Sequence, residues 1–509
     1  LRPASITDAG RMHEQGAWQG LCWPAYLWRE AMMVRIRTWI GTALFLVHGG
    51  LKAQPPVADR PIYPEKLHED LEILRTTLHE AHPDPYRFVS AAGLDRAFAQ
   101  VQEEVAVTLV PSAFREALTP VFQALGDPRC TATLPGQTTN GTPLIPLQVR
   151  IADGALYVDQ ELKGFRSLPP GAKITAINGH SASKILQLIN AQVVAEGANT
   201  TLRHAIIGRE FPQLFHRYVE QAAVFMVRYI NAEGNEDEQR VAGLTQAEMN
   251  LSRQTARLPL WSHERVLNGR AMWFTARSLD RDSLAAAGLR PDRYLDALLK
   301  EMRAAGTEIL VVDVRGAAGR DLAMAETVFA AFADMPFRAV KEVSTRLVRP
   351  LTHQAHTEPL TDHLAAVRSR FITDPNGVAR MKDSEPPLQH TPPMRAPFAG
   401  KVYVVCDGMT RDAGAALVMM ARRNGRARVI GEEVGTNAAS FTGGRELRLT
   451  LPNSGVRVTI PLMRYVPEGM ADDAEHGERP HHAVPARPGD GAQGRDTVRE
   501  SLLWLLSEM

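Results

Sequence analysis

The sequence predicts a multidomain α/β protein: a helical N-terminal domain, a compact strand-rich module, and a last domain built on a central, largely parallel sheet. Three observations carry this. Leucines recur at helical spacing after residue 64, the apolar period shortens from Pro143, and from residue 271 short apolar strands alternate with helices as far as Gly431. At 509 residues the chain is too long for one ordinary domain. Its 44% hydrophobic and 23% charged content are values of a globular protein with sizeable cores. Fifty-eight basic residues against 57 acidic ones leave no field to draw in nucleic acid or an anionic membrane, so neither partner is expected.

In chain order, Met33-Val-Arg-Ile-Arg-Thr is a short basic segment, Trp39 to Val47 is apolar, and Gly49-Gly50-Leu51-Lys52-Ala53 follows. That layout is a secretory signal peptide over 33–53 with cleavage near Ala53, which makes residues 1–32 upstream read-through. The apolar run is shorter than the roughly 18–20 residues of a membrane span, so none is expected after signal removal. Location is then secreted or periplasmic. Only Cys130 and Cys406 remain beyond that point. Two separately buried thiols are the simpler expectation, with a single bridge as the alternative in an oxidising compartment.

The helical domain spans 54–135. Pro64 opens a helix whose Leu67, Leu71, Leu74 and Leu78 form one stripe, and His82-Pro83-Asp84-Pro85 stops it. A second helix covers roughly Ala91 to Val107, and Ser112 caps a third that runs to about Leu125. The module over 136–246 starts with strands near Leu144–Ile151 and Ala155–Val158. It continues through Lys173–Ile177, an Asn178-Gly179 turn, a helix from Ala182 to Gln192, and strands at Val224–Tyr229 and Gln239–Leu244. The last domain, 263–509, alternates strand (Ala271–Thr275), helix (Tyr294–Ala305), strand (Glu308–Val314), helix (Leu322–Phe332), strand (Lys401–Cys406), helix (Ala413–Arg422) and strand (Arg428–Gly431). Residues 350–397, rich in His, Pro and charge, read as a loop or cap. Asp496 to Leu506 closes the chain as a helix with Val498, Leu502 and Leu505 or Leu506 on one face.

The strand Val402–Cys406, the turn at Asp407-Gly408 and the helix from Ala413 make a place where backbone N–H groups point at a reacting atom. Several segments resemble one family. Gly171-Ala-Lys-Ile-Thr-Ala-Ile-Asn-Gly179 resembles the G-x-x-I-x-x-I-N-G segment of PDZ-like domains. Ile309-Leu-Val-Val-Asp-Val-Arg-Gly316, Gly400-Lys-Val-Tyr-Val-Val405, Ala427-Arg-Val-Ile-Gly-Glu-Glu-Val-Gly435 and Leu451-Pro-Asn-Ser-Gly-Val-Arg-Val-Thr-Ile-Pro461 resemble tail-specific (C-terminal-processing) serine peptidases. They follow the family's order over roughly residues 64–506 and look closest to its secreted bacterial, tricorn-like branch. The implied architecture is a helical leading domain, a PDZ-like module and an α/β peptidase core.

The resemblance puts the nucleophile at Asp412, the base at Arg129 in the loop Gly126-Asp127-Pro128-Arg129, and the orienting acid at Glu433. Oxyanion donors would come from Ala413, Ala318 and Gly319, and peptide contacts from Gly171, Ala172 and Ile174. The chemistry needs a hydroxyl nucleophile, a proton-accepting base and N–H donors. A carboxylate at 412 is a poor nucleophile toward an amide, and the Arg129 guanidinium accepts no proton. Glu433 is left without a His to orient. The opposite charges at 412 and 129 suggest an ion pair filling the former centre, with two unrelated loop charges as the alternative.

Other residues carry weaker signals. Cys130 beside Arg129 is most simply a buried thiol, and Ser440 a turn residue. His353, His356, His481 and His482 lack helix-spaced metal partners, and no nucleotide-binding glycine motif is present, so neither metal nor cofactor is expected. The functional expectation is an exported, catalytically impaired peptidase homologue that binds peptides, unfolded protein or C-terminal tails. An active serine-type endopeptidase and a structural envelope protein are the alternatives.

Overall fold

Among the described residues, three six-stranded sheets organise the protein. The computed structural model describes residues 60–508 except 137–140, 163–166 and 254–257, together with the side chains at 252 and 253. The signal-peptide segment and the stretch before it lie outside the described residues.

The central sheet runs in the order 482–483, 428–431, 401–406, 309–313, 271–276, 261–266, and every neighbouring pair is parallel except the last. The α/β alternation seen in the sequence produces this: Leu310, Val312, Val404 and Val429 face a core shared with helices Pro291–Ala304, Leu322–Ala330 and Ala413–Arg423. On the other face Val311, Val405 and Ile430 meet the closing helix Thr497–Ser507 through Val498, Leu502 and Leu506. Leu505 stays partly exposed.

The second sheet is antiparallel and is dominated by the long hairpin Phe441–Thr450 and Arg457–Pro467. Its edge strand Thr131–Thr133 pairs with Arg457–Thr459. The leucine stripe of Pro64–Ala81 is buried, as its spacing requires, in a core that also contains Leu447, Leu449, Val458 and Ile460 of this hairpin. The third sheet, 147–152, 155–161, 173–177, 224–230 and 236–242, has its own core with helices Ala182–Asn190 and Thr200–Tyr218. Asn178 and Gly179 both take positive φ, which gives the tight hairpin between Ile177 and His180.

Several sequence expectations need correction. The third helix is two short ones, Pro111–Ala117 and Thr119–Leu125, with Val110 rather than Ser112 at the N-cap. Pro120 forces the restart, since it has no N–H to extend the first. Residues 350–397 are structured, with helix Thr361–Arg370 and strands Phe371–Thr373 and Ala379–Met381. The 19-residue helix Thr200–Tyr218 has no counterpart in the sequence reading, because Gly208 and Pro212 interrupt its pattern. A Cβ at Gly208 would overlap the Val149 carbonyl, so the glycine is there for close helix–strand approach. Among the described residues no helix is long and apolar enough to cross a membrane.

Candidate active site

The site grows from the end of the strand Lys401–Cys406, which is buried from Val402 onward. Asp407 Oδ1 accepts the N–H groups of Gly316 (2.9 Å) and Met409 (3.0 Å) and lies 3.0 Å from the Thr410 hydroxyl, so it knots the turn to the neighbouring strand loop. Burial pushes the Asp407 carboxyl above its ordinary range. Asp412 follows with φ 57° and ψ −118°, a conformation L-residues avoid, directly before helix Ala413–Arg423. Its N–H donates to Thr436 Oγ1 (2.8 Å) and its carbonyl accepts from Ala416 (2.9 Å), so both sides of the strained peptide are tied down. Strand, strained turn and helix are the geometry that lifts a nucleophile out of a sheet. The side chain it presents is a carboxylate.

Arg129 reaches the same place from the loop before the strand Thr131–Thr133, and its guanidinium forms an ion pair with the Asp412 carboxylate. Both side chains are mostly shielded, at 16% and 19% exposure. Arg129 Nε is buried without a partner, and the guanidinium lies near Gly443 of the long hairpin. Beneath it, Asp127 is buried and fully employed: it accepts from Arg129 N–H (2.9 Å), Thr442 Oγ1 (2.6 Å) and His82 Nε2 (3.1 Å). Burial alone would raise its pKa; the bonds from His82 and Thr442 outweigh this and hold it below the carboxylate range. His82 Nδ1 accepts from Asp84 N–H (3.2 Å), which places the ring proton on Nε2 toward Asp127. Nearby Tyr465 stacks on Phe441, and burial pushes its phenol up to about 12.

Glu433 does have an imidazole to hold, contrary to the sequence reading. Its carboxylate meets His476 Nδ1 at 3.1 Å and accepts from Gly477 N–H at 2.7 Å. Their separation of 43 positions hid the pair from sequence inspection. Glu196, also unforeseen, is buried against Arg87 (3.0 Å) and accepts Asn437 N–H (2.7 Å), while burial raises its pKa.

One of the expected oxyanion donors, the Ala413 N–H, is not open. Ala413 N–H donates to the Gly319 carbonyl (3.1 Å), and the Ala318 carbonyl accepts from Leu279 N–H (3.0 Å). Carbonyl oxygen, not N–H, thus faces the helix start. Gly319 is locked in place, since a Cβ there would overlap the Leu279 carbonyl. The expected peptide contacts are likewise engaged internally. Gly171 N–H bonds Val158 O (2.8 Å), Ala172 N–H bonds Pro169 O (3.1 Å), and Ile174 is buried between two paired strands. The backbone at 488–489 lies against Gly171.

Cys130 and Cys406 are both free and buried, and burial lifts each thiol far above its ordinary pKa. Ser440 N–H bonds Asn437 Oδ1 (3.2 Å), as a turn residue does. His353 and His356 stack on each other, and His481 Nδ1 accepts from Val429 N–H (3.0 Å). Among the described residues no group of three or more His, Cys, Asp or Glu is placed to hold a metal ion.

Residues 283–484 match the family described as Peptidase family S41. The fold matches solved structures of mature CPAF at 14% identity, covering 86% of this chain and 96% of that one, with a TM-score of 0.59. Mature CPAF complexed with lactacystin matches at 12% identity over 87% and 97% of the two chains, with a TM-score of 0.61. No curated protein matches significantly.

Proposed function

We propose that this chain, which carries a tail-specific S41 peptidase domain, is an exported homologue with an impaired catalytic centre that binds peptides, unfolded protein or C-terminal tails. The Arg129–Asp412 ion pair carries the reading. Neither group supplies the chemistry an amide hydrolase needs: a guanidinium accepts no proton near neutral pH, and a carboxylate returns its acyl group readily. The bond from Ala413 N–H to Gly319 O points the same way, because the donor that would stabilise a tetrahedral oxyanion is already spoken for. Export rests on the basic-apolar-small pattern of residues 33–53.

Purified protein is expected to leave unfolded casein intact and to resist a serine-directed fluorophosphonate. Strong labelling would overturn the proposal. Two observations favour an active enzyme instead, the strained turn and the carboxylate-held His476. That reading requires a labelled serine or threonine, which peptide mapping would locate.

A further inference from the structure

We infer that the groove beside the Arg129–Asp412 pair takes an extended acidic peptide segment, added as a strand along Thr131–Thr133 and held through its Asp or Glu side chains by Arg411 and Arg217. The inference rests on the ligand-binding reading above and supplies a location and a ligand chemistry for it.

The groove has a volume of about 410 Å³ and lies between the strand Thr131–Thr133 and helix Thr200–Tyr218. Among the described residues that strand is the terminal one of its sheet and pairs on one side only, with Arg457–Thr459. Its three residues line the groove, so the open edge offers backbone donors and acceptors to a further strand. The apolar part of the wall includes Phe122 and Leu214, which suits the alternate side chains of an extended segment.

The charge pattern selects the occupant. Arg411 lines the groove next to Asp412, yet among the described residues it has no ion-pair partner, and its Nε is buried without a hydrogen bond. Burial, and then the neighbouring Arg129 and Arg209, lower its pKa against the weaker pull of Glu210 and Glu196, a setting that a directly paired carboxylate relieves. Arg217, also on the groove, is exposed and likewise has no carboxylate partner among the described residues. The two acids lining the groove lie near other arginines: Glu116 sits 2.8 Å from Arg115 and Glu210 3.9 Å from Arg209. Two guanidiniums without an ion-pair partner among the described residues call for two carboxylates. A single chain terminus supplies one, whereas acidic side chains along a strand supply both.

Fluorescence anisotropy on the full chain tests this with labelled peptides of three kinds. One is Glu-rich with an amidated C-terminus; the second has Gln for every Glu and a free C-terminus. The third is the Glu-rich peptide N-methylated at alternate residues, made in both registers. The first is expected to bind, more weakly as salt rises, and one methylated register to fail. Arg411→Gln and the exposed-site variant Arg217→Gln are each expected to weaken it about tenfold. Preference for the Gln peptide overturns acidic side-chain recognition while leaving tail binding intact. Unchanged affinity in both variants, or equal binding of both methylated registers, overturns the site. Absence of binding by every peptide removes the ligand-binding reading as well. Casein hydrolysis bears only on catalytic impairment.

Discussion

The loop that carries Arg129 and the turn that carries Asp412 meet in one ion pair, but they are supported in opposite ways. Below Arg129, Asp127 is buried and accepts from a backbone amide, a hydroxyl and an imidazole, so its carboxylate is satisfied by hydrogen bonds. Asp412 sits at φ 57° on a backbone that non-glycine residues avoid, held by Thr436 and the helix behind it. The first region is stable through hydrogen bonding and the second through packing that over-determines a strained turn. The difference teaches that a site's framework and its reactive groups are separable. The strain is retained at a position whose side chain cannot use it for hydroxyl chemistry.

Substitutions can break each support in turn. The largest effect is expected for Gly319→Ala, whose methyl would meet the Leu279 backbone, atoms that cannot swing aside. A loss of about 3–5 kcal/mol is expected in urea denaturation, and a wild-type midpoint would show that the 317–320 loop is not fixed.

Next comes Asp127→Asn, expected to cost about 2–4 kcal/mol at neutral pH. Because the folded carboxyl is held below its unfolded value of 3.8, its contribution is full above that pH and fades as pH falls further. Wild type and variant should therefore converge in acid; divergence there would contradict the network.

Breaking the ion pair from one side by Arg129→Met leaves Asp412 mostly buried and alone, at about 2 kcal/mol. The double variant with Asp412→Leu should recover most of that loss in a thermodynamic cycle, and strict additivity would mean the pair is not coupled. At the turn itself, Asp412→Gly is expected to be more stable than Asp412→Ala by about 1 kcal/mol, since glycine takes positive φ without strain. Equal stabilities would mean the turn is unstrained.

The smallest expected change is none. Restoring Asp412→Ser together with Arg129→His should leave casein intact, because Ala413 N–H stays bonded to Gly319. Turnover by that double variant would show that the loop opens.

Much of this was legible along the chain. The central parallel sheet follows from Val402–Cys406, Ile309–Val314 and the helices between them, because apolar periodicity is local information. The helix Thr200–Tyr218 was hidden, since the packing role of Gly208 depends on Val149, in a strand far earlier in the sequence. The opposite charges at 129 and 412 could be read, and their contact is seen in the fold. Partners such as Glu433 with His476 and Asp127 with His82 could not be read at all.

By itself, then, the sequence determined the fold class and which residue types stand at the turn, because secondary structure and side-chain chemistry are written residue by residue. The tertiary structure alone decided which groups are satisfied. It closed the Ala413 N–H onto a carbonyl, gave Glu433 its histidine, and left Arg411 without an ion-pair partner among the described residues, beside the edge strand Thr131–Thr133. Hydrogen bonds and ion pairs depend on distances of a few ångströms between segments far apart in the chain, and only folding sets those distances.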